Sequence, residues 1–297
     1  MKRSNRRRPA LDLEIPPGDS ILVDLIDAMI DDFKPFAIEE LGQAGDPDSV
    51  ARRTARRIHF SSRPDRAAAT EAITRNFGGR GVYAAEVDVV DDGDDWARRC
   101  QDNLRSIRVA QIVIAPPWDV PPAADEITTV VIEPSIGFGT GHHPSTRLCV
   151  GALQQQAVRG CAVMDFGTGS GVLAIAAAKL GAASVLAVDD DPDAISAARR
   201  NITRNGVESI VTLHCQDLRT FTPPAPVPIL LANLNGALLG NLASRMLGAV
   251  SPGGSLIVSG LSVDEEAQVL AAFTPSATLR NRLCEDEWSC LILQPEA

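Results

Sequence analysis

The sequence is poor in residues that staple, stack or anchor. Its 6 cysteines (Cys100, Cys149, Cys161, Cys215, Cys284 and Cys290) include no C-x-x-C pair. In a chain of 297 residues they read as reduced, mostly buried thiols. Aromatic residues make up only 4% of the chain, which leaves few rings on which single-stranded bases could stack. No run reaches the roughly 18 to 20 uninterrupted apolar residues of a membrane-spanning helix. Lys2, Arg3, Arg6, Arg7 and Arg8 make a basic start, but Pro9 and the acid-studded Leu11-Asp12-Leu13-Glu14 follow where an exported chain needs an apolar stretch. The expected location is therefore the cytoplasm.

Positive charge is also in short supply. Lys plus Arg number 28 against 38 Asp plus Glu, a net charge of −10. Such a balance disfavours general nucleic-acid binding and draws in cationic partners. What is abundant is apolar sequence, at 45%. A chain of this length can bury a sizeable core without disulfides or a structural metal.

The pattern of apolar residues divides the chain. Residues 1–10 read as a basic tail. Over 11–92, strands at 11–15, 36–41, 58–61 and 82–89 interleave with helices near 20–31 and 64–77. That β-α-β-β-α-β order is the order of a ferredoxin-like α+β sandwich. Residues 93–125 read as a connection, with a linking helix over 96–104 followed by Pro116, Pro117, Pro121 and Pro122. From 126 to 297, strands at 129–132, 162–166, 184–188, 210–214, 229–232 and 255–259 alternate with helices at 146–158, 172–180, 192–205 and 238–247. Near-continuous apolar strands joined by helices predict a doubly wound, mostly parallel Rossmann-like sheet of α/β class. An antiparallel hairpin over 278–283 and 289–293 closes its edge.

The sharpest local signal is Asp165-Phe166-Gly167-Thr168-Gly169-Ser170-Gly171, between a predicted strand and a predicted helix. Glycines let the backbone turn tightly and approach a ligand, and a helix N-terminus offers free N–H groups. Position 172 is Val, so the dinucleotide fingerprint is incomplete, and no phosphate-loop lysine motif is present. The G-x-G-x-G spacing is the one used for S-adenosylmethionine. Asp189 follows the next strand, 22 positions after Gly167, where a carboxylate can accept ribose hydroxyls. Asp191 before Pro192 has the order of a helix N-cap and first turn. Asn233 ends the strand over 229–232 with an amide that both donates and accepts. A second glycine loop, Gly137 to Gly141, runs into His142-His143-Pro144. Adjacent histidines seldom reach one ion, so no metal is expected.

On these residues the chain resembles a known family. Ile132-Glu133-Pro134, then Phe138-Gly139-Thr140-Gly141-x-His143-Pro144-x-Thr146-Arg147-Leu148-Cys149, is similar to the hallmark of the bacterial ribosomal protein L11 methyltransferases, the PrmA family. The glycine turn, Asp189-x-Asp191-Pro192, Asn205-Gly206 and Ala232-Asn233 follow in the family's order, while His142, Ser145, Asp190 and Asn235-Gly236 depart from its usual residues. The resemblance implies an S-adenosylmethionine-dependent protein-lysine N-methyltransferase whose N-terminal domain recognises a ribosomal protein. It places the cofactor on Thr146, Gly167, Asp189 and Asn233; Gly169 of the glycine turn and Phe138 and Thr140 of the second glycine loop are further expected cofactor contacts.

Methyl transfer to an amine is an in-line displacement, in which positioning supplies much of the catalysis. No dedicated strong base is expected. The candidate catalytic residues are Asn233, aligning the amine or the methionine end of the cofactor, and His143, either as proton acceptor or, the favoured reading, in a structural role. Expected partners are the ribosomal protein, with ribosome association and contact with nucleic acid left open, and the chain is expected to be a monomer. Two other readings use the same residues: methylation of RNA or a different protein, and a cofactor-binding assembly factor without catalysis. Arg52, Arg53, Arg56 and Arg57 would make a basic stripe for RNA if helical, or a solvated face paired with nearby acids.

Overall fold

The protein's computed structural model describes residues 6–17, 20–31, 33, 35, 37–44, 53–60, 62–91, 104–134, 141–274 and 276–296. The chain divides into two units, Met1–Cys100 and Gln101–Ala297. The first is built from β1 (Arg6–Ile15), α1 (Ser20–Asp31), β2 (Ala37–Ala44), β3 (Arg53–His59), α2 (Arg63–Phe77) and β4 (Tyr83–Asp91). The strands form one antiparallel sheet in the order β2-β3-β1-β4. This is the expected ferredoxin-like sandwich. Alternation along β1 sends Leu11, Leu13 and Ile15 into the core and leaves Asp12 and Glu14 half-buried on the other face. Two helices cover the apolar face. Leu22, Ile26 and Ile30 of α1 and Ala69, Ile73 and Phe77 of α2 recur every four residues and meet it. Ser62 caps α2, accepting from the Asp65 amide at 3.2 Å and donating to its carboxylate at 2.6 Å.

One expectation for this unit is corrected, and the condition attached to another reading is not met. The strand begins at Arg6, not Leu11: Arg6, Arg7 and Arg8 pair with Asp91, Val90 and Val89 of β4, so backbone pairing claims much of the supposed tail. The arginine stripe is not helical either. Arg53, Arg56 and Arg57 belong to β3, where neighbouring residues point to opposite faces. Arg57 reaches Asp12 on the adjoining strand with two bonds of 2.6 and 2.8 Å. Arg53 lies 3.8 Å from Glu14 on the same face. The charges are largely answered within the sheet. Arg52 and residues 96–103 of the expected linking helix lie outside the described residues.

The second unit holds a seven-stranded sheet of β8 (Ala162–Phe166), β9 (Ser184–Asp189), β10 (Val211–Cys215), β11 (Val227–Asn233), β12 (Val250–Ser262), β13 (Ala277–Glu285) and β14 (Trp288–Pro295). Its order is β10-β9-β8-β11-β12-β14-β13. The first five strands are parallel, and the hairpin β13–β14 closes the edge antiparallel. Helices α3 (Pro144–Leu153), α4 (Val172–Lys179) and α5 (Pro192–Asn205) pack with one apolar cluster, and α6 (Gly236–Ala249) and α7 (Glu266–Phe273) with the other. Both faces are thereby covered, which is why β8 and β11 read as nearly unbroken apolar runs.

A smaller sheet, β5 (Ile107–Val109), β6 (Ile112–Ala115) and β7 (Thr128–Val131), was not expected. β7 pairs in parallel with β6 and not with the main sheet. Part of the presumed connection is thus built into the second unit, with Ile112 and Ile114 fully buried. Strand order reverses at β8, whose neighbours β9 and β11 lie on opposite sides. The crevice beyond those three strand ends is where a ligand binds in such sheets.

Candidate active site

The turn after β8 forms because three glycines adopt a backbone that side chains resist. Gly167, Gly169 and Gly171 have φ of +73°, +54° and +83°. A Cβ on Gly167 would sit 2.3 Å from Leu234 Cδ2, and one on Gly171 would sit 3.3 Å from Ala198 Cβ. The turn hangs from β9 by bonds from the Gly167 and Thr168 amides to the Val188 carbonyl, at 2.8 and 3.1 Å. Gly171 opens α4 with no side-chain cap.

Two carboxylates organise this turn. Asp189, at the end of β9, accepts the Gly169 amide on Oδ2 at 2.8 Å and the Asp191 amide on Oδ1 at 3.1 Å. Burial pushes its pKa above the ordinary range, with Asp190 and Asp191 adding to the effect against the two amides. Asp165 lies deeper and is wholly buried. Its Oδ2 accepts from Thr168 Oγ1 at 2.6 Å and from the Ala174 amide at 3.1 Å, while its Oδ1 has no partner. Burial raises it to about 7.

Beside the turn, at the end of the neighbouring strand, Asn233 meets Thr146. Asn233 ends β11, and its Nδ2 donates to Thr146 Oγ1 at 3.2 Å. Gly260, at an irregularity of β12 with φ +87°, makes room for it: a Cβ there would lie 2.9 Å from Asn233 Oδ1 and 2.5 Å from the Leu234 carbonyl. Asn233 is not a helix cap, because Asn235 fills that role for α6 through the Leu238 amide at 2.9 Å.

Thr146 sits in the first turn of α3, and His143 is that helix's N-cap. The His143 Nδ1 accepts from the Ser145 amide at 3.3 Å and lies 2.7 Å from Ser145 Oγ, and its ring meets Trp288 edge-on at 4.3 Å. Burial, with Arg147 nearby, lowers its pKa despite Glu287. One ring nitrogen of His143 is therefore occupied by holding the helix, as its structural reading expects. Asp191 caps α5 as expected, through the Asp193 amide at 2.8 Å. Phe138 and Thr140 lie outside the described residues. Among the described residues no group of three His, Cys, Asp or Glu side chains could hold a metal, and no helix is long and apolar enough to cross a membrane.

Sequence reading missed Gly260 and Asn201. A glycine inside the apolar strand 255–261 is a bulge signal that could have exposed the first. Asn201 carried no local signal, because its partners are 31 and 68 positions away.

A sheet of this order, with a glycine turn and a following-strand carboxylate at its switch point, defines a Rossmann-like methyltransferase. The sequence profile of the ribosomal protein L11 methyltransferases (PrmA) matches residues 44–296. Among curated relatives, the ribosomal protein L11 methyltransferase of Geobacter metallireducens is 41% identical over 206 residues, 68% of this chain and 66% of that protein. The one from Cupriavidus necator is 33% identical over 275 residues, 92% of this chain and 88% of that protein. The crystal structure of a ribosomal protein L11 methylase from Lactobacillus delbrueckii subsp. bulgaricus superposes with a TM-score of 0.61 at 27% identity, covering 65% of this chain and 100% of that one. The chain belongs to the ribosomal protein L11 methyltransferase family.

Proposed function

We propose that the protein transfers methyl groups from S-adenosylmethionine to amines of ribosomal protein L11, on lysine side chains, the N-terminus or both. The observation that carries this reading is the turn at the ends of β8 and β9, where Gly167, Gly169 and Gly171 all take positive φ and Asp189 holds the Gly169 amide. The residues present fit the cofactor. Asp189 has one amide on each oxygen and a further lone pair on each for a ribose hydroxyl. Asp165 offers an unpartnered oxygen beneath the turn. When bound, the cofactor supplies an electrophilic methyl group on a positively charged sulfur.

The chain's own residues do the positioning. Gly167 and Gly169 let the backbone turn at positive φ, and Asn233, bonded to Thr146, stands beside that turn at the end of β11. With Nδ2 committed to Thr146, Asn233 presents Oδ1 to orient an N–H of the acceptor amine. A lysine amine with a pKa near roughly 10.4 costs about 4 to 5 kcal/mol to deprotonate at pH 7. Burial beside a cation lowers that cost, so no strong base is needed. His143, in this reading, acts by fixing α3 and hence Thr146, not by taking the proton.

The ferredoxin-like unit recognises the protein substrate, and the enzyme works as a cytoplasmic monomer, on the free protein or at the ribosome. The test is incubation with labelled S-adenosylmethionine and undermodified ribosomal proteins and RNA. Label confined to L11 is expected. Label in RNA, or cofactor binding without label anywhere, contradicts the proposal.

A further inference from the structure

We propose that Asn201 is a positioning residue for the cofactor, bridging the glycine turn to the chain at Glu133 and so holding the cradle in shape. This inference rests on the function proposed above. Asn201 is 1% exposed on the inner side of α5. Its Nδ2 donates to the Ser170 carbonyl at 2.9 Å, and its Oδ1 accepts from the Glu133 amide at 2.9 Å. One partner can only accept and the other can only donate, so the amide has a single orientation.

The Ser170 carbonyl belongs to the peptide that joins Ser170 to Gly171, and the Gly171 amide of that peptide is tied to the Thr168 carbonyl at 2.8 Å. Asn201 therefore fixes one end of a peptide plane whose other end is already fixed. One residue earlier, Asp189 holds the Gly169 amide. The turn is gripped at consecutive residues from β9 and α5, and a site held in its binding shape loses less entropy when its ligand arrives.

The rest of α5 gives a control. Asn205, one turn further on, accepts the Val131 amide at 2.9 Å and donates to the Val131 carbonyl at 2.7 Å. Arg204 pairs with the Glu133 carboxylate at 2.6 Å. These side chains also hold the 131–133 segment, but only the bonds of Asn201 include the glycine turn.

Asn201→Asp keeps the acceptor for Glu133 and sets a charge against the Ser170 carbonyl, whereas Asn205→Ala loosens the strand end and spares the turn. Calorimetric titration of S-adenosylmethionine and S-adenosylhomocysteine, with thermal melting of each variant, separates the two. Loss of one buried bond of this kind weakens binding by about tenfold or more. Asn201→Asp is expected to show that loss at pH 8. It should regain affinity relative to the wild type on acidification, because a protonated carboxyl can again donate to Ser170. Referring each pH to the wild type removes the contribution of Asp165 and Asp189. Asn205→Ala should lower the melting temperature with affinity nearly unchanged. If Asn201→Asp does not fold, Asn201→Ala carries the same comparison without the added charge. Unchanged affinity in the Asn201 variant, or a loss matched by Asn205→Ala at equal destabilisation, overturns the inference. No binding by the wild type instead sinks the proposed function.

Discussion

The two units bury their sheets differently, and the difference decides what each can do. The first covers one face with α1 and α2 and leaves on the other a band of Asp12, Glu14, Arg53 and Arg57, with Tyr83 60% exposed beside Glu14. The second covers both faces with apolar clusters, so chemistry is left to the ends of its strands. A one-sided sheet offers a broad, polar face suited to a protein partner. A two-sided sheet offers a narrow crevice suited to a small cofactor.

Changes at the crevice should impair chemistry or cofactor binding and leave the first unit intact. Gly167→Ala is expected to have the largest effect. It adds a methyl group 2.3 Å from Leu234 at a φ of +73°, which costs on the order of 1 to 3 kcal/mol in backbone strain alone. Methyl transfer should fall by about 100-fold or more, read by label incorporation, while far-ultraviolet dichroism stays close to the wild type.

Asp189→Asn comes next. It keeps an acceptor for one amide but replaces the other by a donor facing a donor. The apparent cofactor KM should rise by about 10- to 100-fold, as expected when a hydrogen bond to a charged group is lost. kcat at saturating cofactor should change far less, because the affected contact belongs to the ground state as well as the transition state. An equal fall in kcat would move Asp189 into the chemistry itself.

A smaller effect is expected from pH. Asp165 titrates near about 7 in the fold, far above its unfolded value, so between those values the native state binds the extra proton. Stability of the ligand-free protein should therefore rise as pH falls from 8 towards 5, and decline as pH rises towards 7. Asp165→Asn should flatten that dependence in thermal melts. Cofactor affinity should run the other way, because a cation favours the ionised carboxylates. The smallest effect on stability belongs to the first unit. Arg57→Met breaks the half-buried pair with Asp12 at a cost of about 1 kcal/mol or less. It should raise the KM for the protein substrate and leave cofactor affinity unchanged, and a change in the second would blur the division of labour.

Much of this is legible in the sequence, and unevenly so. The helices Ser20–Asp31 and Pro192–Asn205 fall where periodicity and capping residues put them, because Asp191-Pro192 and Gly206 are local signals. The glycine turn, Asp189, Thr146 and Asn233 meet at one end of the sheet because β8, β9 and β11 are adjacent strands whose turns share an edge. What escaped depended on partners distant in sequence. β5 and β6 are too short for periodicity to separate from loop. Arg6 to Arg8 look like a tail until β4 pairs with them. The arginines of β3 match helical spacing as well as strand spacing, and only Asp12 and Glu14 across the sheet decide between them. Asn201 is a plain helix residue in the sequence, and its two backbone partners give it meaning only in the fold.

The central claim is that the bend at Gly167 to Gly171, backed by Asp189, holds S-adenosylmethionine. Calorimetric titration of the purified wild-type protein and of Gly167→Ala tests it most directly. Saturable one-to-one heat in the wild type, lost in the variant, is the predicted result. Absence of heat in the wild type, or equal affinity in both proteins, would contradict it.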